Sequence, residues 1–249
     1  IQSRLPDEYN VKDCYILSDP RLRAAVRNDE KMYVFPQFPQ FSDTTTSSIM
    51  DQINEEAPGA IASGRIEVAK NFHTLKGFID HSVTQIQNHT HKYPIDELVI
   101  SFHGIPKRYV MEKGDIYYQH CCETFALLKD KIDFPKDKIH MTFQSRLGSE
   151  EWLDPYTDQY CEHMVENGVK RIGVYCPSFV VDCLETTDEI GAELGEEIEK
   201  LGAEIVFIPC LNLNEAWLDS YAEFVKAFCS NDQEKLKKIT YEIPESQKE

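Results

Sequence analysis

The sequence predicts an α/β protein with parallel sheets flanked by helices, and three observations carry that expectation. Seven short apolar runs read as buried strands: "CYIL" (14–17), "KMYVF" (31–35), "RIEVA" (65–69), "ELVISF" (97–102), "IHMTFQ" (139–144), "RIGVY" (171–175) and "EIVFIP" (204–209). Between most of them lie stretches with helical patterning, at 46–54, 74–90, 115–130, 155–167, 185–201 and 214–229. Alternating β and α elements place strands side by side in one direction, with helices covering both faces. The third observation is size: 249 residues, 41% hydrophobic and 28% charged, fill one large or two modest domains with a real core.

Each boundary has a local reason. "NHTHKYP" (88–94) is polar and ends in proline, and reads as a hinge between two lobes, 1–94 and 95–229. Asp154-Pro155 supplies an N-cap followed by proline at the first helical position, and Gly168 stops that helix before "VKRIGVY". Ile190, Leu194, Ile198 and Leu201 fall on one helical stripe that should pack on the sheet. Residues 230–249 read as a polar tail. The chain opens at Ile1 with "IQSRLPDEYN", which reads as the middle of something, so the first lobe is expected to be incomplete.

Composition narrows the function. A formal net charge of −17 leaves no basic stripe to neutralise phosphates, which argues against nucleic acid. It also disfavours simple electrostatic docking on anionic lipid. No apolar run reaches the length of a membrane span, and no secretory signal opens the chain. The eight cysteines are scattered and form no CxxC pair, so neither a zinc knuckle nor a disulfide framework is written here. Reduced thiols and a cytoplasmic location are the expectation. No P-loop, GxGxxG or GxSxG occurs, so nucleotide binding and α/β-hydrolase chemistry lack their usual signatures.

In open α/β sheets, ligands bind beyond the carboxyl ends of the strands. "SFHGIP" delivers His103 to that edge with Gly104 behind it, and "CPSFVVDCLETTDEI" (176–190) follows another strand to the same edge. Glu185, Glu189 and Glu193 recur every fourth residue, with Asp182 and Asp188 nearby, and so form a row along one side of a helix. Such a row relays protons or cations if it lines a cavity; on spacing alone it is equally a solvated face in a chain with 43 acidic residues. His103 with Glu185 suits transient handling of a divalent metal or a proton. Arg146 and Trp152, after the strand "IHMTFQ", could offer a fork to a carboxylate and a stacking surface to a flat ligand. Trp152 could equally cover the end of the sheet. The histidines 73, 81, 91, 120, 140 and 163 show no metal-binding spacing and read as surface or core residues.

Taken in order, "FPQFSDTTTSS", "SFHGIPKRYVMEKGDIYYQHC", "TFQSRLGSEEWLDPYTD", "CPSFVVDCLETTDEI" and "PCLN" resemble the ferrochelatase family. The likeness is close over 95–225 and looser over 13–94, and the "SFHGIP.RY" form looks most like the bacterial protoporphyrin type. It implies a chelatase-like fold of two Rossmann-like lobes with a macrocycle clamped between them. It also implies a lyase that inserts Fe²⁺ into protoporphyrin IX, the terminal step of haem biosynthesis. Carried over by position, His103 matches the family's metal- or proton-handling histidine and Glu185 the glutamate opposite it. Glu189 and Glu193, with Asp188 beside them, fall on the metal or proton path. Trp152, Arg146 and Gly104 are the expected porphyrin neighbours.

The resemblance implies porphyrin and ferrous iron as partners, no cofactor beyond the iron substrate, and a monomer or homodimer. A peripheral membrane contact fits a hydrophobic substrate. A [2Fe-2S] cluster is not expected, since only Cys229 lies near the C-terminal end where relatives carry one. "LSDP" (17–20) replaces an expected "YG.P", and Ser47 stands where the family has glycine. Those departures leave two alternatives: a catalytically silent tetrapyrrole- or metal-binding relative, or a chelatase for another porphyrin such as coproporphyrin.

Overall fold

Residues 1–26 and 29–243 are described by the computed structural model, and their elements alternate as the sequence predicts. A short helix α1 (Leu22–Ala25) precedes β1 (Met32–Val34), and α2 (Ser48–Glu56) connects it to β2 (Ile66–Val68). The two strands pair in parallel, Met32 opposite Ile66, and form the sheet of a smaller lobe. Then α3 (Lys76–Lys92) leads to β3 (Glu97–His103), and α4 (Lys107–Met111) and α5 (Tyr117–Lys131) lead to β4 (Ile139–Gln144). Next come α6 (Thr157–Glu166) and β5 (Arg171–Tyr175), followed by one continuous helical run. That run consists of α7 (Leu184–Thr186), a π-helical stretch Thr187–Leu194 and α8 (Gly195–Lys200). It feeds β6 (Glu204–Ile208), after which α9 (Glu215–Cys229) and α10 (Gln233–Lys238) close the described chain.

The larger sheet has the order β4-β3-β5-β6, all parallel. Strand β3 is central, and Leu98 to Phe102 are all buried, as befits a strand covered on both faces. Leu98, Ile100 and Phe102 point into a core built with α3, α5 and α9, through Phe78, Ile79, Leu128, Trp217 and Phe224. Val99 points the other way, into a core with Cys161 and Met164 of α6 and with Ile190, Leu194 and Ile198 of the helical run. The chain leaves β3 toward β4 on one side and later reaches β5 on the other. His103 therefore ends a strand at the point where the winding reverses, the usual location of a crevice.

Helix α3 lies close to α9, because Gly77 has no side chain: a β-carbon there would fall inside Ser220. Gly77→Val should force the two helices apart and cost about 1–3 kcal/mol, read as a lower urea midpoint. An unchanged midpoint would show that the contact has slack.

Several sequence expectations are corrected. "CYIL" is not a strand: Tyr15 makes a single parallel bridge, to Arg21, residues 16–20 bend between them, and Leu17 is exposed. Asp154-Pro155 does not start a helix. The Pro155 carbonyl accepts from Phe143 N–H and Tyr156 bridges Phe143, so these residues run extended beside β4 and α6 begins at Thr157. Asp154 instead pairs with Lys107. Of the predicted stripe, Ile190, Leu194 and Ile198 are buried but Leu201, past the end of α8, is half exposed. Residues 88–92 of the predicted hinge are the last turn and more of α3.

The polar segment after 230 is also structured. Asp232 accepts from Lys235 N–H to cap α10, and Tyr241 bonds back to Asp80 and to the Thr74 carbonyl. Its last residues, 244–249, lie outside the described residues.

Candidate active site

The ends of β3 and β4 are held together as one platform. His103 is opposite Gln144 in the parallel register, and Gly104 N–H donates to the Gln144 carbonyl at 2.8 Å. Gln144 ties in the helical run as well: its amide donates to the Glu185 carbonyl, and its Oε1 accepts from Ser101 Oγ at 2.9 Å and Cys176 Sγ at 3.1 Å. One buried amide thus joins three strands and the start of α7.

His103 is gripped by its backbone. Its N–H donates to Ser178 Oγ at 3.1 Å, and its carbonyl accepts from Tyr117 OH at 2.7 Å. Tyr117 and Ser178 are themselves 3.0 Å apart, and burial pushes the Tyr117 phenol well up, so it stays a donor. The imidazole packs edge-on to Phe179, ring centroids 6.0 Å apart. Nδ1 lies 2.6 Å from the Gly104 carbonyl. A carbonyl only accepts, so Nδ1 is the donor here, and in the neutral ring Nε2 is the nitrogen that carries the lone pair.

A cavity of about 490 Å³ opens beside this ring. His103, Arg146, Glu185, Glu189 and Glu193 all line it, together with Phe143, Gln144 and Ser145. Three carboxylates reach the same space because Glu185 in α7 and Glu189 and Glu193 in the π-helical stretch that continues it are each four residues apart and so stay near one face. Glu189 is fixed: Ser145 donates to it from both its backbone N–H and Oγ, each at 2.6 Å. Those bonds offset the strain of Ser145, which sits at a φ of 63°, in the left-handed region. Arg146 donates to Asp158 at 2.6 Å and lies 4.3 Å over the Tyr156 ring, so its fork is already engaged.

Three expected residues stand elsewhere. Asp188 is exposed and is not part of the cavity wall. Trp152 is not in the wall either; its indole N–H donates to the Leu147 carbonyl at 3.0 Å and pins that loop. The space beside Gly104 is filled by the protein itself: a β-carbon there would lie 2.8 Å from the Gln144 carbonyl and 3.2 Å from Trp152 Cε3.

Sequence reasoning passed over a second set of polar groups. His73, His120 and Glu123 meet in the interior, with His73 Nε2 2.7 Å from Glu123 Oε2. The available signal was the HxxE spacing of His120 and Glu123, which stacks them on one turn of α5.

A parallel α/β fold with a histidine at the end of a central strand, sharing a cavity with a row of helix carboxylates, brings together the side-chain types that metal and proton chemistry use. The family model described as Ferrochelatase matches residues 4–228, and the chain belongs to the ferrochelatase family. Curated relatives named Ferrochelatase from Brucella ovis, Brucella melitensis and Brucella abortus are 40% identical over 189 residues, or 75% of this chain. The match takes in 53% of each relative, so the chain spans about half the length of the curated relatives it matches. A solved structure described as SirB from Bacillus subtilis with Fe³⁺ superposes with a TM-score of 0.55. It covers 91% of this chain and 83% of that one at 14% identity, a likeness of fold alone. Among the described residues, no helix is long and apolar enough to cross a membrane.

Proposed function

We propose that this chain carries the metal-inserting centre of a protoporphyrin ferrochelatase, placing Fe²⁺ in the macrocycle and releasing two protons. The observation that carries the reading is the fixed tautomer of His103, whose Nε2 lone pair belongs to a residue of the cavity wall. A neutral imidazole accepts a pyrrole proton near neutral pH. Glu185, Glu189 and Glu193 extend from the same cavity and supply carboxylates along which protons leave or a hydrated cation arrives. Insertion needs a pyrrole nitrogen lone pair turned out of the macrocycle plane. Clamping against a rigid platform supplies that distortion from binding energy. The grip of Ser178 and Tyr117 on the His103 backbone makes the platform rigid.

The test is anaerobic incubation with Fe²⁺, and with Zn²⁺ as proxy, against protoporphyrin and coproporphyrin, following the porphyrin absorbance bands. Conversion of protoporphyrin in preference supports the reading. Preference for coproporphyrin would change the substrate, and binding without conversion would make this a silent relative. Glu185→Gln, which removes the charge and keeps the shape, is expected to lower turnover about 10²-fold while porphyrin affinity stays unchanged. An unchanged rate would return the carboxylate row to the role of a solvated face.

A further inference from the structure

Among the described residues, one group brings three ligand atoms close enough to hold a metal ion, and its members are not in the cavity wall: His73, His120 and Glu123. Their relative exposures are 5%, 7% and 6%, so solvent does not complete their bonding. Their candidate ligand atoms all lie within 4.8 Å of one another. His73 and Glu123 already have the outer support that metal ligands need. His73 Nδ1 is 3.2 Å from Asn71 Oδ1, and Glu123 Oε1 accepts from Gln119 Nε2 at 2.9 Å.

His120 is held differently. Its Nδ1 accepts from Phe41 N–H at 3.1 Å, and its ring stacks on His73 at 3.8 Å with 17° between planes. Imidazole lone pairs lie in the ring plane, so stacked rings aim them side by side rather than at one point. His73 is tied at both nitrogens, and the His120 ring is tied only through Phe41. The ring that turns to close a site is therefore His120, and turning it gives up the Phe41 bond. Phe41 belongs to a loop of the smaller lobe that docks on α5. There Gln40 donates to Thr124 Oγ1 at 3.1 Å, and Ser42 Oγ and Asp43 N–H both donate to Asp115.

We propose that His73, His120 and Glu123 form a divalent-cation site of the two-histidine, one-carboxylate type, and that filling it releases the Phe41 amide. Two imidazoles and a carboxylate suit a borderline ion such as Zn²⁺ or Fe²⁺. Tetrahedral ligation at about 2.1 Å spaces donor atoms by about 3.4 Å, so His73 Nε2 and Glu123 Oε2 must part slightly from their present contact. The proton they share leaves to solvent as the ion enters. His120 Nδ1 accepts from Phe41 N–H, so that nitrogen carries no proton to lose when it turns to the ion. Burial pushes the Glu123 carboxyl up, but the bonds from His73 and Gln119 outweigh it and keep the group ionised. The inference does not rest on the activity proposed for the His103 cavity.

The experiment is calorimetric titration of the full chain with Zn²⁺, in buffers of different ionisation enthalpy, on the parent protein, His120→Asn, Glu123→Gln and His103→Ala. Asparagine at 120 places an acceptor where Nδ1 was and so preserves the Phe41 bond and the fold, but it is a poor zinc ligand. His103→Ala should keep the site, with proton release, whereas His120→Asn and Glu123→Gln should weaken it by more than about tenfold. Hydrogen exchange at the Phe41 amide should speed up when the parent is saturated with Zn²⁺ and stay unchanged in His120→Asn. Equal affinity in His120→Asn, loss of all Zn²⁺ binding in His103→Ala, or an unaltered Phe41 exchange rate at saturation would each overturn the proposal.

Discussion

His103→Ala is expected to reduce metal insertion by about 10²- to 10⁴-fold while leaving the melting temperature near that of the parent. The two halves of that expectation have separate causes. In the proposed mechanism activity falls because Nε2 of this ring would be the base beside the cavity, with Nδ1 held as donor by the Gly104 carbonyl. Stability survives because neighbours grip the His103 backbone rather than its ring. Ser178 accepts the N–H and Tyr117 donates to the carbonyl, and both bonds persist in the variant. The ring contributes only its own Nδ1 bond and an edge contact with Phe179. Steady-state insertion of Zn²⁺ with a parallel melting curve checks both halves. Turnover near the parental rate would remove His103 from the mechanism, whereas a collapsed melting curve would relocate its importance to folding.

Phe102→Ala should have the largest effect on stability, a loss of about 3–5 kcal/mol, a large part of the 5–15 kcal/mol typical of a folded protein. Phe102 is fully buried on the central strand, with its ring 6.2 Å from Phe143 on β4. Its face is shared with Leu98 and Ile100, which pack against α3, α5 and α9. Truncation leaves a cavity between strands that are hydrogen-bonded along their whole length, so the backbone has little freedom to collapse into it. Urea unfolding measures the loss directly. A change under about 1 kcal/mol would mean that the neighbours repack. Because Phe102 and Phe143 directly precede His103 and Gln144, the same variant should also loosen the platform that carries His103.

The four strands of the larger sheet were readable almost to the residue. Each is an apolar run with polar or breaking residues at its ends, and a strand buried on both faces demands that pattern. "CYIL" has the same pattern without a partner strand, and Tyr15 and Leu17 end up exposed, because pairing is decided by distant residues. The start of α6 was misplaced because Asp154-Pro155 looks like a cap locally, while Phe143 N–H claims the Pro155 carbonyl. The π-helical winding was invisible, since apolar and acidic residues spaced by four fit an α-helix equally well. In the site, His103, Glu185, Glu189, Glu193 and Arg146 were legible from their places at strand ends and along one helix side, and all line the cavity. Asp188, Trp152 and Gly104 do not line it, because which residues flank a cavity depends on the packing around them.

By itself, then, the sequence determined the α/β class, the order of strands along the chain, and the delivery of His103 and a row of carboxylates to one edge. These follow from local physics: burial periodicity, helix pitch and the direction of a parallel strand. Tertiary structure alone decided which nitrogen of His103 is free, what fills the space beside Gly104, and that His73 meets Glu123 across 50 residues of chain. Contacts of that kind arise when separate elements pack, and no spacing within one element encodes them.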